Sequence, residues 1–358
     1  MNPKILVIGL DGATFDIIKP MSEMGWLPNI TQLIKNGICG NLQSTIHPIT
    51  PQAWSTFLTG KNAGKHGIFD FTIRKKDSYD IEFINASHRN GGSIFHYLSN
   101  KGLRVGAVAV PFTYPPERVN SFMLSGLDAP AEDERAVYPR EIFREICKRF
   151  GNYYIHLASP VGRSNNEEKF WKDIQTEDMN RTDISLYLME RYPCDLFMTA
   201  YNNTDRVQHQ YLTYEFLEAL HDGNSGLLRK NLLIKTYENL DREIGRLLEK
   251  INEDTLIILM SDHGSGPIRR VFYLNRWLEE NGFLKYRETT GMGLNLLENA
   301  RFKAKRLLPR SAKGFIKRFF PQVRDSIESY RYFSGIDWSK TMAYGFGMYG
   351  NIFINLKD

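Results

Sequence analysis

Residues 4–10 read Lys-Ile-Leu-Val-Ile-Gly-Leu, an unbroken apolar run cut off by Asp11-Gly12. A run this short, apolar without alternation and closed by a turn signal, is the pattern of a strand buried on both faces of a parallel sheet. Similar runs recur at 104–110, 195–200 and 255–261. Between them lie helical patterns at 93–101 (closed by Gly102), 168–192 and 227–251. Parallel strands joined through helices dictate an α/β layered fold with a mostly parallel central sheet.

The remaining composition narrows the class of protein. At 358 residues, with 42% apolar and 24% charged residues, the chain can bury a full core and is neither disordered nor fibrous. Three scattered cysteines, Cys39, Cys147 and Cys194, make neither a disulfide framework nor a cysteine metal site. They suit a reducing compartment, so any metal must use histidine and carboxylate. No stretch approaches the about 18 apolar residues of a membrane span, and the N-terminus lacks a signal-peptide cleavage pattern, so the chain reads as cytoplasmic. The net charge of +5 is concentrated: Arg301–Arg324 carries nine Lys/Arg and no acid, which leaves the rest of the chain at −4.

In an open parallel sheet, functional groups gather beyond the carboxyl ends of the strands. Asp11 follows the first run, Asp205 lies shortly after the third, and Asp262-His263-Gly264 directly follows the fourth. The stretch 50–60 reads as a helix with Thr50 at the N-cap, Pro51 at the first helical position and Gly60 past its end. That places a hydroxyl at a helix N-terminus, where free N–H groups favour a tetrahedral anion. Asp205 and His209, four apart, share one helix face. Taken singly, Thr50 reads as a cap, Asp205/His209 as an exposed pair and Asp262-His263 as a capped loop. Taken together, Asp11, Thr50, Asp205, His209, Asp262 and His263 fall at strand ends or helix starts on one sheet edge. Their oxygens and nitrogens suffice for two divalent cations.

The order of motifs resembles the alkaline phosphatase superfamily, in its type I phosphodiesterase/nucleotide pyrophosphatase branch. It consists of 5–12 opening the chain, Thr50 ahead of Thr59-Gly60, Lys65-His66-Gly67-Ile68, Asp205-x-x-x-His209 and Ser261-Asp262-His263-Gly264. The resemblance runs from Ile5 to about Gly266. It implies a three-layer sandwich of the alkaline-phosphatase kind around a mostly parallel sheet. It also implies a metal-dependent phosphoester hydrolase, of phosphodiesterase or pyrophosphatase type, acting through a phosphothreonine intermediate. Asp11, Asp262 and His263 would bind one cation together with Thr50, the nucleophile; Asp205 and His209 would hold a second. Zn2+ is the expected metal, with Mn2+ the alternative. Monoesterase, sulfatase and phosphoglycerate-mutase-like activities are the alternative enzymes of the superfamily, and a non-catalytic protein that kept the scaffold and lost the second metal site is the alternative of another class.

Three positions depart from that pattern. The family completes its second metal with another histidine late in the chain, and none follows His263. The sequence is therefore expected to be C-terminally incomplete. Phe71 occupies the stretch where nucleotide-hydrolysing relatives carry a phosphate-contacting Asn, and Ala63 stands where Pro is usual. Lys61, Lys65 and Arg74 read as solvated surface cations, and His47 is placed near Thr50 by sequence alone. The expected domains are a core over 1–265, a helical, basic cap or insertion over 266–344, and a strand within 345–358 returning to the core. Arg301–Arg324 interleaves cations with Phe302, Leu307, Leu308, Phe315 and Phe319, a pattern for packing on the core, for an anionic membrane surface or for an acidic substrate. No nucleic-acid motif is present, and the expected partner is a small-molecule, lipid or glycan phosphoester.

Overall fold

The computed structural model describes residues 3–76, 78–157, 166–223, 228–287, 333, 335–347 and 349–356. Among them are ten strands: β1 (Ile5–Leu10), β2 (Thr72–Arg74), β3 (Ile81–Phe83), β4 (Val105–Val110), β5 (Phe122–Ser125), β6 (Val137–Tyr138), β7 (Leu196–Tyr201), β8 (Leu256–Met260), β9 (Ala343–Gly345) and β10 (Ile352–Ile354). Six form one sheet in the order β6-β5-β4-β7-β1-β8, parallel throughout except for β6 against β5. The α/β expectation holds, and the four apolar runs are β1, β4, β7 and β8.

Contacts divide the chain into two compact units, 1–69 with 85–268, and 70–84 with 269–358. In the first unit, alternate residues of β1 serve opposite faces of the sheet, as the two-residue period of a strand requires. Leu6, Ile8 and Leu10 pack with residues of the helices Phe15–Glu23, Pro28–Asn36, Glu167–Arg191 and Leu232–Leu248. Val7 packs on the other face with Trp54, Leu58 and Phe95, from the helices Thr50–Thr59 and Ile94–Asn100. The helix Leu232–Leu248 buries Leu233, Tyr237, Leu240, Ile244 and Leu247, the three-to-four spacing of an amphipathic helix. Asn231 starts it by accepting from the Leu233 N–H.

β8 departs from the expectation of a strand covered on both sides. Among the described residues it stands at the edge of the sheet, paired with β1 alone, and Leu256 is 58% exposed. Gly9 interrupts the β1 run for a packing reason: a Cβ there would lie 2.4 Å from the Trp54 ring. Gly9→Ala is expected to destabilise the fold by about 2–3 kcal/mol, since a buried indole has no room to retreat. Urea unfolding measures this, and an unchanged midpoint would contradict it.

The Lys65-His66-Gly67-Ile68 motif forms a short turn closed by a buried histidine. His66 Nδ1 accepts the Ile68 N–H at 3.1 Å, which assigns the ring proton to Nε2, 3.0 Å from Thr56 Oγ1. Burial, with a smaller contribution from the Arg89 guanidinium, pulls this imidazole down to about 4. The folded state thus keeps His66 neutral while the unfolded chain takes a proton near pH 6.5. Stability from this site is present at neutral pH and is lost as pH falls from about 6.5 to 4, by about 3 kcal/mol in all. His66→Gln, which preserves one acceptor and one donor, should flatten that acid limb; an identical pH profile would contradict the assignment.

The second unit has its own small core of Ile81, Leu278, Leu284, Phe333, Ile336, Tyr344 and Phe346. Two antiparallel pairs belong to it, β2 with β3 and β9 with β10. Within 345–358, β10 pairs antiparallel with β9. The physical reason is local: Gly347 and Gly350, with φ of +87° and +72°, allow the chain to turn straight back. Arg74, read as a free surface cation, donates from Nη1 to the Tyr344 hydroxyl. Of the region expected as a cap, the helix Leu274–Glu280 and β9 are described. The Arg301–Arg324 segment lies outside the described residues. No helix among the described residues is long and apolar enough to cross a membrane.

Candidate active site

The register of the sheet aligns the ends of three strands. Leu10 lies opposite Tyr201 and Gly9 opposite Met260, and the Asp11 N–H donates to the Tyr201 carbonyl at 2.9 Å. Continuing that register sets Asp11 beside Asp262. Past β7, the helix Asn203–Tyr211 begins at once and carries Asp205 and His209 in successive turns. Two of its buried side chains fasten it to β1's end: Thr204 Oγ1 donates to the Asp11 carbonyl at 2.6 Å, and Gln208 Nε2 to the Gly12 carbonyl at 2.7 Å. The approach is so close that a Cβ on Gly12, whose φ is +68°, would sit 2.8 Å from Asp205 Oδ1. Only glycine meets both conditions.

Thr50 is the first residue of the helix Thr50–Thr59, which begins one residue earlier than the sequence reading had it. Ile49 is the N-cap, and no side chain caps the helix. The Thr50 hydroxyl is engaged elsewhere: it donates to Asp11 Oδ1 at 3.3 Å and lies 3.2 Å from His263 Nε2. Gly60 ends the helix in the left-handed conformation, as the sequence suggested.

His263 Nδ1 faces the Gly264 carbonyl at 2.9 Å, which assigns the proton of a neutral ring to Nδ1. Its Nε2 lone pair then points toward Asp11 Oδ1 at 3.4 Å and Asp262 Oδ2 at 3.5 Å. Asp262 Oδ1 accepts the Gly12 N–H, but its Oδ2 is buried with no hydrogen-bond partner. The Asp262 backbone is anchored by Ser44, whose hydroxyl donates to its carbonyl at 2.7 Å.

Electrostatically the site is overloaded with negative charge. Burial first, then repulsion from Asp262 and Asp205, lifts the Asp11 carboxyl well above its usual range. Burial lifts Asp262 as well. His209 Nε2 lies 3.3 Å from Asp205 Oδ2, and that hydrogen bond raises the imidazole. The orphaned Asp262 oxygen and the Asp11 carboxylate thus both face His263 Nε2, with Asp205 close to Asp11. A divalent cation with oxygen and nitrogen ligands answers the excess of negative charge. Asp11, Asp205 and His263 each bring a ligand atom to within 4.8 Å of the others.

The type I phosphodiesterase/nucleotide pyrophosphatase profile matches residues 5–338, spanning all six of these side chains. The chain belongs to this family. Among solved structures, phosphonoacetate hydrolase from Sinorhizobium meliloti 1021 is 15% identical with a TM-score of 0.49, over 80% of this chain and 64% of that one. Murine ectonucleotide pyrophosphatase/phosphodiesterase 5 is 18% identical with a TM-score of 0.47, again over 80% and 64%. A sulfatase-like protein from Bacteroides fragilis is 16% identical, with a TM-score of 0.37, over 74% and 62%. The chain therefore spans less than two thirds of the length of these relatives. No curated protein sequence matches it.

The structure brings Asp11, Thr50, Asp205, Asp262 and His263 together, with His209 attached through Asp205. Trp54, Thr204 and Gln208 were not anticipated. Trp54 Nε1 donates to Asp11 Oδ2 at 3.3 Å. Its signal was its position, one helical turn after Thr50. His47 enters the loop before Thr50 through its backbone N–H, which donates to Gln52 Oε1 at 3.2 Å.

Proposed function

We propose that this chain hydrolyses phosphoesters, of the phosphodiester or pyrophosphate class, through a phosphothreonine formed on Thr50. The observation that carries the reading is the Thr50 hydroxyl, held against Asp11 and His263 beside the orphaned Asp262 oxygen. Asp11, Asp262, His263 and Thr50 would hold one divalent cation, and Asp205 with His209 a second. Their mixed carboxylate and imidazole set suits Zn2+ or Mn2+. When bound, such ions supply Lewis-acid stabilisation of charge at phosphorus and its flanking oxygens.

The chain's own groups have definite tasks. The uncapped N-terminus of the helix Thr50–Thr59 directs its positive end toward an incoming phosphoryl group. Thr50 Oγ1 attacks phosphorus; its O–P bond forms as the bond to the leaving alcohol or phosphate breaks, and its proton already has an acceptor in Asp11 Oδ1. Water then cleaves the threonine ester and restores the hydroxyl. Thr204 and Gln208 keep the Asp205–His209 helix at a fixed distance from Asp11 throughout.

The intermediate provides the test. Protein quenched in acid during turnover of a nitrophenyl phosphodiester, then digested, should yield a peptide containing Thr50 that carries one substrate-derived phosphoryl group. The same label found on another residue, or on none under steady-state turnover, would refute the mechanism. Comparing diesters, monoesters and sulfate esters on the same preparation fixes the substrate class.

A further inference from the structure

The two oxygens of Asp11 are treated differently by a single helix. Thr50 takes Oδ1 at 3.3 Å, and Trp54, four residues later on the same face, donates its indole N–H to Oδ2 at 3.3 Å. His263 lies on the Oδ1 side, 3.4 Å away. Trp54 is fully buried, and its ring edge fills the space left by Gly9, the residue two before Asp11. Phe57 packs against it edge-on, with ring centroids 6.0 Å apart. The indole therefore cannot turn away, and its N–H is fixed on one carboxylate oxygen.

We propose that Trp54 is a positioning residue for the metal centre, holding Asp11 Oδ2 so that Oδ1 alone is presented to Thr50, His263 and the cation. This inference rests on the metal-centre reading above. A carboxylate without the indole donor is free to rotate about its Cβ–Cγ bond, and its second buried oxygen is left without a partner. Both effects weaken a one-oxygen ligand, and losing such an outer hydrogen bond typically lowers metal affinity about 10- to 100-fold.

Calorimetric titration with Zn2+ alone, and with Mn2+ alone, tests this on wild type and Trp54→Phe. Phenylalanine keeps aromatic bulk and removes the donor. Affinity should fall about 10- to 100-fold in the variant, while circular dichroism without metal shows a cooperative fold in both. Equal affinity in a folded variant overturns this inference and leaves the metal-centre reading intact. A wild type that takes up neither ion overturns both. Should Trp54→Phe fail to fold, the indole N–H resonance of Trp54 in 15N-labelled wild type, one of five tryptophans, gives a second reading. It should shift on metal addition as charge is drawn from the Asp11 carboxylate; an unmoved resonance at saturating metal contradicts the proposal.

Discussion

Thr50→Ala should lower hydrolysis of a nitrophenyl phosphodiester by about 10^4-fold or more, the scale seen when a covalent nucleophile is removed. The methyl group that remains keeps the helix start, because Ile49 and not Thr50 is the N-cap and no side-chain cap is lost. Folding should therefore be preserved and the loss should lie in turnover. Thr50→Ser keeps an oxygen in reach of Asp11 Oδ1 and should retain far more activity than the alanine variant. Metal content, measured in parallel, separates loss of the attacker from loss of the cations. If Thr50→Ala kept about a tenth of wild-type turnover, a different group would have to be the nucleophile.

Asp262→Asn should have opposite effects on the metal-free and the metal-loaded protein. Asp262 is buried, and its carboxyl is lifted above the ordinary range by that burial. Between pH 4 and neutrality the unfolded chain ionises this group while the folded chain resists, so the metal-free fold loses stability as pH rises. Asp11, lifted in the same direction, contributes with the same sign. Asparagine can still accept the Gly12 N–H, carries no charge and replaces the orphaned oxygen with an amide. It should stabilise the metal-free protein at pH 7 by about 3 kcal/mol, measured by urea unfolding in chelator. Wild type should recover the deficit on binding metal, by about 4 kcal/mol at a thousandfold excess over the dissociation constant. The variant should gain little. A destabilised metal-free variant, or one with an undiminished metal response, would contradict this view of the carboxylate cluster.

Much of this arrangement was legible in the sequence, because the elements that carry it are governed by local patterns. The apolar runs ending at Leu10, Ala200 and Ser261 located three strand ends, and the parallel register placed their following residues on one edge. Asp205 and His209 share a helix face because four residues make about one turn. What escaped was decided by side chains distant along the chain. Trp54 was not singled out, since nothing local shows that its N–H meets a carboxylate 43 positions away. The space Gly9 leaves is likewise invisible locally, because the indole that fills it lies 45 positions along the chain. The partner of β10 was not legible either, because a three-residue strand carries little periodicity. The exposed face of β8 was invisible for a similar reason: an apolar run specifies a strand without saying how many neighbours it has.

If the six side chains at this sheet edge hold metal beside the Thr50 hydroxyl, the ions must be found there. Anomalous diffraction from crystals grown with Zn2+ locates them. One peak is expected among Asp11, Thr50, Asp262 and His263, with a second against Asp205 and His209. Zinc bound only elsewhere on the protein, with Asp262 Oδ2 still unligated in the saturated crystal, would contradict the account.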